Sequence, residues 1–494
     1  MAVQINDIGN SNALAERPKG ATNSMGVVSY VVNLVREARN SRDRMHKNKW
    51  DAYERTYRGL YSGQDATREG ERSRIIAPAL SQAIDSTAAT IEDAIFSRDQ
   101  WFDILDDMLD EQRDDIETSR LRLNEDFNLA NVPDAIAKII LNGCIYGTGI
   151  GKINVTRKEI RTIVQTENGP QTQTEMRPVV SLDPIPPWEF VIDTQARDLE
   201  SASFLAHETH VPRNVVWTKQ KQGIFRNVNV SGFNTSKLPF PAGQASTETS
   251  RTHAKHDGSV WVTEYYGLVP KNLLNGLVAV DAKEVLGNGM VECIVTVANE
   301  SELLRIMTNP FLMKDRPIVA YQHDIVPGKF WGRGVAEKGW NAQRALDAEL
   351  RARMDALGLL TSPMMGADIT RLPRNPDMRV RPGKVWLTRG RPSEILEPII
   401  LGNIDPQTFN QSSEMERLVQ VATGSVESNA PLNTDRRNET ASGISMIQSS
   451  ALKRTKRVMW NIERQFLNKF VKKSMWRYQQ FNQQRYPKDH EFVV

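Results

Sequence analysis

Apolar and polar positions recur with two different periods along this chain, and the changes of period mark its elements. Residues 24–61 have the helical period. Val28, Val31, Val32 and Val35 open an apolar stripe, Trp50, Tyr53 and Tyr57 close it, and Gly63 stops it. Ala and Ile at helical spacing predict a second helix over 78–96, followed by Trp101-Phe102; a third is expected from about Val132 to Tyr146. The period then falls to two. Strands are expected around Ile163, Val179 and Val191, with a hairpin tip near Asn168-Gly169 and a break at Pro184-Ile185-Pro186-Pro187. Val211-Pro212 opens a short helix to Gln222. Residues 223–257, rich in Asn, Ser, Thr and Gly and without a period, predict a long loop. Strands return at 260–266, 276–280 and 291–297. Short strands with Pro and Arg are expected over 361–400, a helix over about 407–421, and a last helix from about Ser442 to Gln484.

The stretch around which these elements are arranged is the turn Pro327-Gly328-Lys329-Phe330-Trp331-Gly332-Arg333-Gly334 and the helix that follows it to Leu360. Pro and three Gly make a tight turn, with Phe330 and Trp331 as apolar anchors. In the helix Leu346, Leu350, Met354 and Leu357 recur at i, i+4, i+8 and i+11, while Arg344, Asp347, Arg351 and Asp355 share another face. Pro363 closes it, because the residue before proline disfavours the α conformation. About 25 helical residues span about 37 Å. A narrow apolar stripe beside a face of both charge signs suits packing against neighbours, including copies of the same helix; an ordinary surface helix of a large domain is the alternative.

Composition adds bounds. A chain of 494 residues predicts about two to four domains, and 39% hydrophobic with 25% charged residues fits a globular protein with a sizeable core. Mean hydropathy is −0.47 and no apolar run approaches 18–20 residues, so no membrane-spanning helix is expected. Residues 1–23 are polar, without the apolar core of a secretory signal, and predict a flexible arm. Cys144 and Cys293 are too few for a disulfide framework or a thiolate metal site. The charge is nearly balanced, 63 basic against 60 acidic residues, for a net +3. That argues against a protein that grips DNA statically, though not against a surface past which DNA slides.

Few residues suggest chemistry. Asp106, Asp107, Asp110, Glu111, Asp114 and Asp115 form a charge run expected to be a solvated helix face. In the segment from Gly147 to Ile153, Tyr146 stands where a phosphate loop needs its first Gly, and Ile153 where it needs Ser or Thr; a helix-stopping turn is expected. His207-Glu208-Thr209-His210 lacks the zinc-protease spacing and any nearby third ligand. No metal, cofactor or catalytic residue is expected. Two features point to polyanions instead. The loop 425–438 carries Arg436-Arg437. The last helix carries Lys453, Arg454, Lys456, Arg457, Arg464, Lys469, Lys472, Lys473 and Arg477, almost unopposed by acid and interleaved with Trp460, Phe466, Phe470, Trp476, Tyr478 and Phe481. That helix either faces DNA or meets the acidic run of a neighbouring subunit.

The turn from Phe330 to Gly334, Trp340-Asn341-Ala342-Gln343 and the helix after them resemble the portal (head–tail connector) proteins of tailed bacteriophages, most of all those of short-tailed phages. Further short similarities follow in order: Trp188-Glu189-Phe190 with Asp193, Asp198-Leu199, Ala202-Ser203-Phe204, Gly390 to Ile395, and Glu439 to Ile444. Together they cover about Ser73 to Gln480. The resemblance implies an α+β, mainly helical portal fold with wing, stem, clip and a short crown, assembled as a ring of twelve subunits. It implies these parts: an arm at 1–23, wing at 24–210 and 361–424, stem helices at 211–222 and 335–360, a β-rich clip at 258–326, a tunnel loop at 425–438, and a basic helix with short crown at 439–494. The implied role is a channel at one capsid vertex of the virion, assembled in the host cytoplasm. Implied partners are double-stranded DNA, the terminase packaging motor, the major capsid protein and scaffold, and head–tail adaptor and tail proteins. Arg436 and Arg437 are then the first candidates for DNA contact, with the basic helix second; Leu346, Leu350, Met354 and Leu357 are the candidates for stem packing. A DNA-binding adaptor and a packaging enzyme are the alternatives.

Overall fold

A computed structural model describes residues 21–60, 73–97, 101–104, 113–166, 169–230, 259–280, 284–361, 364–367, 391, 396–399, 407–424, 456–483 and 485–486. The fold mixes helix and sheet, as the periodicities predict. Helix α1 (Ala21–Arg42) runs through a π-helical turn (Asp43–Lys47) into α2 (Asn48–Tyr57). Helices α3 (Ala79–Phe96), α4 (Arg113–Leu129) and α5 (Val132–Tyr146) follow. Gly147 ends α5 in the left-handed region, φ 91°, confirming a helix-stopping turn there.

The hairpin of β1 (Thr148–Thr166) and β2 (Gly169–Ile185) pairs without a register break from Ile150↔Ile185 to Thr166↔Gly169, so its tip lies where the turn residues predict. Strand β3 (Phe190–Ile192), β4 (Phe204–Val211), the short helix α6 (Arg213–Lys221), β5 (Val260–Pro270), β6 (Met290–Ala298), β7 (Glu302–Thr308) and β8 (Ile318–Gln322) come next. Then come α7 (Val335–Thr361), the ribbon of β9 (Met364–Ala367) with β10 (Leu396–Ile399), and α8 (Gln407–Thr423). The last helix spans 456–481, with a π-helical turn at Glu463–Leu467 leading into α9 (Asn468–Phe481).

Two antiparallel sheets organise these elements, one ordered β2-β1-β8 and one ordered β3-β4-β5-β6-β7. The second sheet departs from expectation. Strands β5–β7, expected as a separate clip module, continue the sheet begun by β3 and β4, because β4 and β5 pair along their length from Phe204↔Gly267 to Val211↔Val260. The strand expected over 276–280 is absent. A single helical turn, Lys271–Leu274, buries Leu274, and Gly276 at φ 78° turns the chain so that Leu277 and Val278 pack beneath α1. The helix expected over 211–222 begins later, since Val211 is the last residue of β4.

Three of the four apolar clusters among the described residues join the main elements. Helices α2–α5, the β1–β2 hairpin and the last helix share the largest, which includes Leu80, Phe127, Ile139, Phe466, Phe470 and Tyr478. The valines of α1 cover one face of the second sheet. Ile150, Ile318, Phe190, Tyr266 and Phe330 join the two sheets. A buried ion pair spans the same junction, from Lys152 on β1 to Glu264 on β5. Burial pushes the Glu264 carboxyl up, but Lys152 outweighs it and holds the group at about 2.

Candidate functional site

The turn before α7 is clamped by backbone pairing. Asp324 and Arg333 exchange N–H···O bonds of 3.1 and 3.0 Å, the Gln322 amide donates to the Lys329 and Phe330 carbonyls, and the Gly332 N–H donates to Thr148 Oγ1. Gly332 and Gly334 are required by close approach: a Cβ would lie 2.5 Å from the Gly147 carbonyl oxygen at the first and 2.6 Å from that of Cys144 at the second. Trp331 packs on Trp50, His46, Phe190 and Phe330. The turn therefore fixes the root of α7 against α5, β1 and the π-helical turn of the first helix.

From that root α7 extends 27 residues, about 40 Å. Its polar face has a definite occupant. Gln343, Asp347, Arg351 and Asp355, four residues apart, bind the backbone of the segment leading into α3. Gln343 accepts from the Leu80 N–H and donates to the Ala77 carbonyl, and Asp347 accepts from Ala77. Arg351 donates to the Ile75 carbonyl, and Asp355 accepts from Ser73. The charged face serves the subunit's own packing, which the charge pattern alone left open. Gln343 was missed by sequence reasoning; its place one turn before Asp347 in the same series was the available signal.

The apolar stripe of α7 divides. Leu346 is fully buried and Leu350 half-buried, whereas Met354 and Leu357 are 48% and 40% exposed in the subunit. Helix α8 lies antiparallel on α7, with Thr423 against Gly339 and Ser412 accepting from Arg353, yet Met354 and Leu357 stay exposed in the subunit.

The basic helix also divides. Lys456, Arg457 and Lys472 are exposed, with Lys472 over the Trp476 ring and Arg464 over Trp460. Lys473 is not part of that face. Its ammonium turns inward and donates to the carbonyls of Arg316 and Ile318. Burial lowers its pKa to about 8, against the pull of Asp315. Arg477 is buried too, forked onto both carboxylate oxygens of Asp315 at 2.9 and 2.8 Å and stacked 3.5 Å over Phe311. Lys469 pairs with Glu200. Three of the cations thus meet acids of their own subunit. Arg436, Arg437, Lys453 and Arg454 lie outside the described residues, as do Asp106, Asp107, Asp110 and Glu111 of the acidic run.

The remaining candidates have ordinary surroundings among the described residues. His207 lies 3.7 Å from Glu189, the His210 ring is tilted 60° against Trp261 at 5.4 Å, and among the described residues no group of three or more His, Cys, Asp or Glu is placed to hold a metal. Both cysteines are buried. No helix among the described residues is long and apolar enough to cross a membrane.

The sequence profile of the family described as phage SU10 portal protein matches residues 164–486, from the outer hairpin to the tyrosine that ends the last described segment. No curated protein matches the chain. The match covers well over half of the chain, which therefore belongs to the phage SU10 portal protein family.

Proposed function

We propose that this chain is the portal subunit of a tailed phage and acts as a closed ring at one vertex of the capsid, through which double-stranded DNA is packaged and ejected. The observation that carries this reading is the family match over 164–486, which takes in strands β2 to β10, α7 and the last helix. The packaging motor, the major capsid protein and scaffold, and the head–tail adaptor and tail would bind the ring at its different levels. In this reading the wing and clip segments share the sheet β3–β7, α7 is the longer stem helix, and the half-covered stripe of α7 is completed by a neighbouring copy. Head-to-tail contacts of one kind then close the ring.

DNA passage is passive on the part of this protein. A net charge of +3 on 494 residues supports weak, repeated phosphate contacts that centre the duplex without holding it. Arg436 and Arg437 are the proposed channel contacts, and the exposed cations Lys456, Arg457 and Lys472, with Lys453 and Arg454, form a second set. Electron-microscope class averages and mass measurement of the purified protein test the reading. Rings with a central hole wide enough for duplex are expected; single subunits under capsid-like conditions would overturn it.

A further inference from the structure

Helix α6 and the segment after it enclose a cleft that the ring reading leaves unused. Gly223, at φ 73°, turns the chain back along α6, and the Ile224 and Phe225 N–H groups donate to the Lys219 carbonyl. The Gln220 amide donates to the carbonyls of Arg226 and Val228 at 3.1 and 2.8 Å, and the Arg226 N–H donates to the Leu304 carbonyl on β7. Val216 and Val230, which line the cleft, are buried in an apolar cluster with Leu304. The cleft between the helix and this pinned segment has a volume of about 740 Å³. That is the size of a small-ligand site, and its walls are fixed by the fold.

Its lining is chemically one-sided. Arg213, Asn214 and Trp217 belong to the helical wall, Asn227 and Asn229 to the other. Trp217 is 56% exposed, although a tryptophan ordinarily buries most of its large apolar surface. Lys221 holds the indole by one face, its ammonium 3.7 Å from the ring centroid. The side chains of Arg213, Asn227 and Asn229 make no hydrogen bond or ion pair among the described residues. Among those residues no carboxylate lines the cleft, and α6 carries three cations and no acid.

Each group selects one part of a ligand. A bare indole takes a planar ring. Carboxamides offer the paired donor and acceptor that match the edges of bases. A free guanidinium without a competing acid takes an anion, phosphate above all. A proline-rich peptide or a neutral sugar leaves the cation unused, and an acidic peptide leaves the indole bare. We propose that this cleft binds a nucleotide unit, with its base stacked on Trp217 and its phosphate on Arg213. Free nucleotides and single-stranded DNA share that chemistry; a duplex does not, because its bases are already stacked and paired. The site does not depend on the ring reading.

The test uses the full chain and a short, fluorescein-labelled single strand of deoxyadenylate, followed by fluorescence anisotropy. Trp217→Ala should weaken binding about tenfold, the scale of one lost base stack, and Trp217→Phe should restore most of it. Arg213→Gln should lower the slope of log affinity against log salt by about 0.7, the share of one single-strand phosphate contact. Both side chains are exposed, so the unfolding midpoints should stay at the wild-type value. Displacement of the label by deoxyadenosine monophosphate assigns free nucleotides, and displacement by the unlabelled strand alone assigns single-stranded DNA; either supports the site. A wild type that does not bind the strand overturns it, as does Trp217→Ala binding within about twofold of wild type. Displacement by duplex DNA or polyglutamate as effective as by the strand itself also overturns it. So does binding that Arg436→Ala with Arg437→Ala abolishes while Trp217→Ala leaves it intact. A wild type that forms no rings yet binds through Trp217 overturns the ring reading and leaves this site standing.

Discussion

Asp315→Ala should destabilise the subunit far more than its place on a loop between β7 and β8 suggests. Asp315 accepts two hydrogen bonds from Arg477, whose side chain is 1% exposed and closed over by Phe311. Removing the carboxylate leaves a buried guanidinium without its counter-charge. Breaking one side of such a pair costs about 3–5 kcal/mol. With a urea dependence of about 3 kcal/mol per M for a chain this large, the unfolding midpoint should fall by about 1–1.7 M. Asp315→Leu combined with Arg477→Met should lose much less, because no charge is then stranded. Equilibrium unfolding of wild type, Asp315→Leu, Arg477→Met and the double variant, followed by tryptophan fluorescence and circular dichroism together, measures the coupling. A midpoint shift under about 0.3 M for Asp315→Ala would refute the reasoning. It would mean that Arg477 turns to solvent when its partner is lost, and that the inner face of the last helix is as free as its outer one.

Three further outcomes follow from the same geometry. Arg436→Ala with Arg437→Ala should leave rings intact and lower the amount of DNA packaged or retained; full genomes held normally would remove these residues from the channel. Met354→Asp should leave subunit stability within about 1 kcal/mol of wild type, as expected at an exposed site, yet block ring formation, whereas Leu346→Asp should unfold the subunit because its side chain is fully buried. Rings of Met354→Asp seen by mass measurement would show that the far end of the stripe faces solvent in the assembly. The last concerns pH. The folded pKa of Lys473, about 8, lies below its ordinary value of 10.5. The unfolded chain therefore binds the extra proton between these limits, and the contribution of this group to stability rises as pH increases from 8 to 10. Lys473→Met should lack that rise relative to wild type in denaturation midpoints taken across the window; parallel pH profiles would refute the assignment.

The helices and the hairpin were legible in the sequence because each is specified by residues close together in the chain. Val132 to Tyr146 buries a continuous helical face and ends at a glycine that can adopt positive φ. The last pair of the hairpin, Thr166↔Gly169, adjoins the tip expected near Asn168-Gly169 for a similarly local reason. The strand pattern of β5–β7 was legible too, but not its sheet, since nothing near Val260 says that its neighbour is Val211 across a long intervening segment. The candidate site divides in the same way. A count of basic residues on the last helix cannot separate Lys472, which is exposed, from Lys473, one residue on, whose partners are carbonyls about 155 positions upstream. The polar face of α7 was visible as a pattern of alternating sign, and only the fold shows that its four-residue spacing matches a backbone laid along the helix. Charge patterning on a long helix therefore distinguishes occupied from unoccupied faces poorly. The better signal for a contact between copies is an apolar stripe whose burial fades along its length, as it does from Leu346 to Leu357, because only a further surface can shield that end from water.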